Sequence, residues 1–298
     1  MHRRQFLTAA GTAMAAAVAS SSRALSGQSA APAKARFRTG LVAYSYREAL
    51  QAKTMTYEDL IRVAVDTGTD GIDMTAYWLP STADDYLLSL RRLAYRNRVE
   101  IYSSGTRVQL ANPAGPLRDK QFAELKQWVD VASKLGASHI RVFGAQRPKD
   151  ATVEQALDFA GESMRMFAEY SGARGITLGV EDDGGMTEYA KETIEIVKRA
   201  NSPWAGMNLD IGNFRAPKVH DQIEMSIPLA VSTHIKTTYA PDDGTARVPF
   251  DLDRIFAMFA KHGYKGYMGL EMEGVPDVAT AVPATLRRLK ELAAKYST

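Results

Sequence analysis

The chain has 298 residues, 45% of them apolar and 24% charged, with no cysteine and a formal net charge of +3. Three arginines and no acid fall within the first 33 residues, so positions 34–298 are formally neutral and offer nucleic acid no broad basic surface. The lack of cysteine excludes disulfides, thiol catalysis and thiolate metal sites, leaving carboxylates, histidine, lysine or a bound metal to carry any chemistry.

In chain order, the first feature is the pair Arg3-Arg4, followed by Phe6-Leu7, an alanine-rich apolar stretch to Ala19, small polar residues and Pro32. This resembles a twin-arginine export signal, with cleavage expected between Ala24 and Ala33 and a periplasmic or secreted destination. The expectation fails if Arg3→Lys with Arg4→Lys leaves export unchanged. Residues 1–33 are accordingly read as leader and linker, and 34–298 as one domain. No later apolar run approaches the roughly 18 uncharged residues of a membrane span, so no membrane insertion is expected.

From residue 37 two textures alternate. Short β-branched and aromatic segments predict strands at 39–46, 71–77, 99–104, 139–144, 176–181, 206–210, 231–237 and 267–271. Between them lie stretches with apolar residues at three and four spacing, such as 57–66, 119–135, 153–173 and 252–262, and a last helix is expected over 278–296. Eight strands alternating with eight helices, without a Pro/Gly/Ser linker, predict a parallel (β/α)₈ TIM barrel. The competing doubly wound sheet would show a glycine-rich phosphate turn after its first strand, and Tyr44-Ser45-Tyr46-Arg47 is not one.

A barrel presents its chemistry at the C-terminal ends of its strands. There, strands five to eight end with Glu181, Asp210, His234 and Glu271 in succession. Neighbouring strands lie about 4.8 Å apart, so four such ends can meet at one ion. Three carboxylates without a cation would repel one another, whereas a divalent ion makes their convergence favourable. An oxygen-rich set with one imidazole suits manganese first, then magnesium or cobalt, and leaves positions for substrate oxygens. Either each acid caps a helix or pairs with a lysine, or the four act together; their consecutive placement favours the second reading.

Other polar residues share these faces. By strand periodicity Asp183 lies on the side of Glu181, Lys236 on that of His234 and Glu273 on that of Glu271, as substrate contacts or as a buried ion pair. Arg141, on the fourth strand, is expected to pair with Asp73 or another inward carboxylate. Tyr44, Tyr46, Tyr77 and Trp78 could form an apolar wall for a ring, Trp78 being the best placed. His139, at the start of its strand, and His220 and His262, in helical or loop segments, are not expected at the metal.

The segments Thr69-Asp70-Gly71-Ile72-Asp73, Arg141-Val142-Phe143-Gly144, Gly179-Val180-Glu181, Leu209-Asp210-Ile211-Gly212-Asn213-Phe214, His234-Ile235-Lys236 and Gly269-Leu270-Glu271 occur in one order over almost all of residues 37–296. In that order they resemble the xylose isomerase-like superfamily, in its sugar phosphate isomerase/epimerase branch. The likeness to its ketose 3-epimerases implies that Glu181, Asp210, His234 and Glu271 hold the metal and that Glu181 and Glu271 also move the proton. Departures are as informative. Asn213 stands where those epimerases place a histidine, Ala240 where they place an arginine, and Asp182-Asp183 where the wider family often has Asn-His. Thr237 replaces the usual aspartate of the lysine motif. The resemblance implies a small carbohydrate substrate, expected to be unphosphorylated because an exported enzyme meets few sugar phosphates and no clustered basic loop follows strands seven and eight; Asn213, Asp183, Lys236, Trp78, Arg141 and Tyr44 are the residues expected to contact it. Three outcomes stay open: isomerisation or epimerisation; elimination by a dehydratase or keto-glycoside lyase after the same proton abstraction; and sugar binding without turnover. Homo-oligomerisation is also left open.

Overall fold

The computed structural model describes residues 34–298. The export-signal reading of residues 1–33 lies outside the described residues. The β-branched segments become eight parallel strands: β1 (Arg36–Val42), β2 (Gly71–Thr75), β3 (Glu100–Gln109), β4 (His139–Phe143), β5 (Thr177–Glu181), β6 (Ala205–Asp210), β7 (Ala230–Ile235) and β8 (Lys265–Leu270). Each pairs with its successor, and β8 returns to β1 with Gly40 opposite Gly269 and Leu41 opposite Leu270, closing a (β/α)₈ barrel.

The amphipathic stretches become the helices that cover it: α1 (Tyr57–Thr67), α2 (Asp84–Arg96), α3 (Pro116–Leu135), α4 (Val153–Gly172), α5 (Ala190–Ala200), α6 (Val219–Ser226), α7 (Leu252–Lys261) and α8 (Val278–Tyr296). Their apolar stripes, among them Leu60, Leu90, Phe167, Phe259 and Leu289, are buried against the outer face of the strands. Reciprocal capping boxes, Thr56 with Asp59 and Thr152 with Gln155, start α1 and α4, and each such cap is typically worth about 1 kcal/mol. None of these helices is long and apolar enough to cross a membrane.

Strand limits differ from the sequence reading where the chain bends over the rim. β1 and β2 stop at Val42 and Thr75, because Ala43–Tyr46 and Ala76–Trp78 wind into 3₁₀ turns. Ser45 pins the first turn to the closing seam, donating to the Leu270 carbonyl at 3.1 Å and accepting from the Met272 N–H at 3.0 Å. β3 instead runs past Ser104 to Gln109, which carries Arg107 and Gln109 up to the C-terminal face. After β7 the chain makes a small antiparallel hairpin of Thr238–Tyr239 with Val248–Pro249, whose Arg247 donates to the Gly212 carbonyl at 2.9 Å.

The barrel interior is filled by polar as well as aromatic side chains. Tyr102 stacks on Tyr267 with ring centroids 3.7 Å apart. A Cβ at Gly40 or at Gly269 would lie 2.5 Å from its hydroxyl, so these two glycines give the ring its room. His139 takes a hydrogen bond at Nδ1 from, or gives one to, the Ser103 hydroxyl at 2.8 Å, and burial pulls its pKa down to about 4, so the imidazole is neutral.

Candidate metal centre

Four adjacent strand ends converge. Glu181 and Asp210 are the last residues of β5 and β6, His234 stands one before the end of β7, and Glu271 is the first residue after β8. Asp210 lies in register with His234, and His234 with Gly269. One ligand atom from each of the four lies within 4.8 Å of the other three, and all four residues are buried.

The atomic arrangement could hold a cation. His234 Nδ1 lies 2.7 Å from Glu181 Oε1, 2.8 Å from Glu271 Oε2 and 3.9 Å from Asp210 Oδ2. Despite these distances Nδ1 and Asp210 Oδ2 make no aligned hydrogen bond. Asp73, reaching across from β2, lies 3.2 Å from His234 Nε2. With an ion bound, a carboxylate there would hold the proton on Nε2 and leave the Nδ1 lone pair to face the ion beside three carboxylate oxygens. Such facing lone pairs are unfavourable alone and favourable around a divalent ion, so the donor set fits one. The electrostatics agree. Burial disfavours charge on His234, yet Glu271 and Glu181 push its pKa well above the ordinary value, the direction in which converging carboxylates favour any positive charge set among them. Burial lifts Asp210 to about 7 even with Lys236 close by.

The second oxygen of each glutamate faces a buried cation. Lys236 Nζ donates to Glu271 Oε1 at 2.7 Å and to Glu273 Oε2 at 2.6 Å, and lies 3.4 Å from Asp210 Oδ2. Burial opposes its charge, but Asp210, Glu271 and Glu273 hold its pKa above the usual lysine range. Arg141 Nε lies 3.2 Å from Glu181 Oε2, Nη1 donates to the Thr106 carbonyl at 2.8 Å, and the guanidinium rests on the Phe143 ring. The partner of Arg141 is thus Glu181 and not Asp73, which His234 has taken. Beneath the ligands, Asn208 Nδ2 donates to Glu181 Oε1 at 2.9 Å, and buried Asp182 accepts the Asp210 N–H at 2.8 Å.

A cleft of about 530 Å³ opens above the two glutamates, with Asp210 and His234 recessed below its floor. Its lining includes all six residues expected at the substrate, namely Tyr44, Trp78, Arg141, Asp183, Asn213 and Lys236. Tyr44 and Trp78 stack at 5.3 Å, and Tyr77 meets Trp78 edge-on. Tyr46 is different: it is packed into the core and forms no part of this wall. Asp73 and Asn208 were missed by the sequence reading as supports of the ligands, as were Gln51, Arg107, Gln109 and Gln146 at the cleft; the one signal was a lone acid or amide inside an apolar strand. A second cavity, of about 540 Å³, lies at the opposite ends of β1 and β3, where its one lining carboxylate, Glu100, is held by Arg38. It contains no converging acid and base.

Comparison with known proteins agrees with this fold. The IolI protein, solved with a bound zinc atom, superposes with a TM-score of 0.72 at 15% identity, covering 88% of this chain and 99% of that one. D-psicose 3-epimerase from Clostridium cellulolyticum H10, solved with D-tagatose, superposes at 0.67 with 18% identity, covering 88% and 98%. The probable 3-DHS dehydratase AsbF from Bacillus anthracis superposes at 0.64 with 14% identity, covering 86% and 98%. At these identities the likeness is one of fold. A search of curated protein sequences finds no match. A sequence profile of xylose isomerase-like TIM barrels matches residues 61–292, from within α1 into α8, and by that match the chain belongs to the xylose isomerase-like TIM barrel family.

Proposed function

We propose that the protein is a divalent-metal-dependent isomerase or epimerase that removes a proton beside the carbonyl of an unphosphorylated sugar or sugar derivative. The observation that carries this reading is the convergence of His234 Nδ1 with oxygens of Glu181, Asp210 and Glu271, at the floor of an open polar cleft. A bound ion, manganese by donor type, would polarise the carbonyl and orient its neighbouring hydroxyl. Glu181 and Glu271 reach the floor from opposite sides of His234, which suits removal of the proton by one and its return by the other. Trp78 and Tyr44 offer an apolar face to the ring, and Asp183 and Asn213 offer acceptors and donors to its hydroxyls. Arg141 and Lys236, the buried cations of the cleft, are already engaged by glutamates, so a phosphate would find only the exposed Arg107 over the Tyr77 ring, which favours an unphosphorylated substrate.

Elimination by a dehydratase or lyase shares the first step. Asp183 favours it specifically, since it adds to the two ligand glutamates a cleft carboxyl with no lysine or arginine against it among the described residues, where it could deliver a proton to a departing oxygen. The decisive measurement is solvent-deuterium incorporation next to the carbonyl of keto-sugars by manganese-loaded protein, with the products identified. Glu181→Gln and Glu271→Gln should each retain metal and lose roughly 10² to 10⁴ of the exchange rate. Wild-type exchange by both variants would overturn the acid and base roles.

A further inference from the structure

We propose that Arg141 and Lys236 are positioning residues for the metal and not substrate contacts: each occupies the outer oxygen of one ligand glutamate, so that the glutamate offers the ion only its inner oxygen. The inference rests on the metal-dependent reading above.

The arrangement is paired. Glu181 directs Oε1 to His234 Nδ1 and Oε2 to Arg141; Glu271 directs Oε2 to the same nitrogen and Oε1 to Lys236. Both cations are almost fully buried, at 5% and 6% exposure, where a charge is retained only against a partner. The fold also makes room for both. A Cβ at Gly105 would lie 3.0 Å from Arg141 Nη2, and one at Gly212 would lie 2.6 Å from the Lys236 stem. Arg141 is fixed further by the Thr106 carbonyl and the Phe143 ring, and Lys236 by Glu273.

Two effects follow from the chemistry. Carboxylates free on both oxygens can bind an ion bidentately and occupy the positions that substrate oxygens need. With their outer oxygens engaged, they leave those positions open toward the cleft. The two positive charges also repel an incoming divalent ion, so the site holds its metal less tightly than three carboxylates and an imidazole otherwise would. The cations thus exchange metal affinity for open coordination. They also keep the metal-free barrel folded, by compensating carboxylates that would otherwise face one another.

The test is the affinity of Mn²⁺ itself, measured calorimetrically on purified full-length protein without any sugar, for wild type, Arg141→Met and Lys236→Met. Each variant should bind Mn²⁺ at least about ten-fold more tightly, because a nearby unit of positive charge has gone. Each should melt lower than wild type without metal, and gain more on Mn²⁺ addition than wild type gains. Electron paramagnetic resonance of the bound Mn²⁺ should show fewer coordinated waters. If Arg141→Met does not fold, Lys236→Met decides the matter, and Arg141→Gln and Lys236→Gln, which remove the charge and keep a donor to each glutamate, replace any methionine variant that does not fold. Weaker or unchanged Mn²⁺ affinity in the folded variants would overturn the proposal and assign both residues to ordinary support or to the substrate. Wild-type protein that binds no Mn²⁺, Mg²⁺ or Co²⁺ would instead overturn the metal-dependent reading on which the proposal stands.

Discussion

The two arcs of the barrel rim are built differently. Strands β5 to β8 bring buried charge to the cleft and its floor: Glu181, Asp210, His234, Lys236 and Glu271 form one chain of contacts, which Arg141 of β4 joins through Glu181. Strands β1 to β3 bring half-buried rings and exposed polar groups: Tyr44, Tyr77, Trp78, Arg107 and Gln109. On the first arc no charge can move without uncovering another, since each buried group is held by its neighbours. On the second arc the stacked rings stand largely on their own contacts. The difference teaches that, under the proposed function, reactivity and recognition would occupy separate halves of one rim, and that only the first demands mutual compensation.

The strongest way to break this comparison is to remove a ligand from the charged arc. Asp210→Ala and His234→Ala should each lose the bound metal, the metal-dependent rise in melting temperature, and turnover down to background. Metal analysis with thermal melts would show this, and either variant retaining a full equivalent of metal would remove that residue from the site. A smaller effect is expected one step back. Asp73→Asn keeps its size but no longer holds the proton on His234 Nε2 as a charged acceptor, so Mn²⁺ affinity should fall roughly 10- to 100-fold with the ligands intact. Unchanged affinity would make Asp73 a packing residue. The smallest effect belongs to the other arc. Trp78→Ala should raise KM by about ten-fold or less, leaving kcat and Mn²⁺ affinity near wild type, as expected for loss of a stacking surface. A fall in kcat without a change in KM would show that the two arcs are not separate.

The strand order and the four converging residues were legible in the sequence because each ligand is a polar residue closing an otherwise apolar strand, and consecutive strands of a barrel are neighbours in space. The pairing of Asp73 with His234 was not. β2 and β7 do not touch, so the contact runs across the interior, and strand periodicity tells which side a residue faces without telling what it meets there. The same limit hid the partner of Arg141. Periodicity placed Asp183, Lys236 and Glu273 at the cleft although the strands end before them, since the chain continues nearly straight for a few residues. At Tyr46 it misled, because local composition does not reveal that Ser45 bends the chain back over the seam.

The compensated cluster also bears on how such a barrel evolves. Buried ion pairs are weak contributors to stability, and apolar side chains of similar size often replace them without loss or with a gain. The charged arc is therefore held in the sequence against the direction that stability alone would favour. Selection for a hardier fold would drift toward erasing Arg141, Lys236 and the carboxylates they face, whereas selection for activity keeps them together as a group. Substitutions among these residues should consequently be tolerated in concert far more readily than one at a time, so that such a barrel would change this arc by exchanging the whole set.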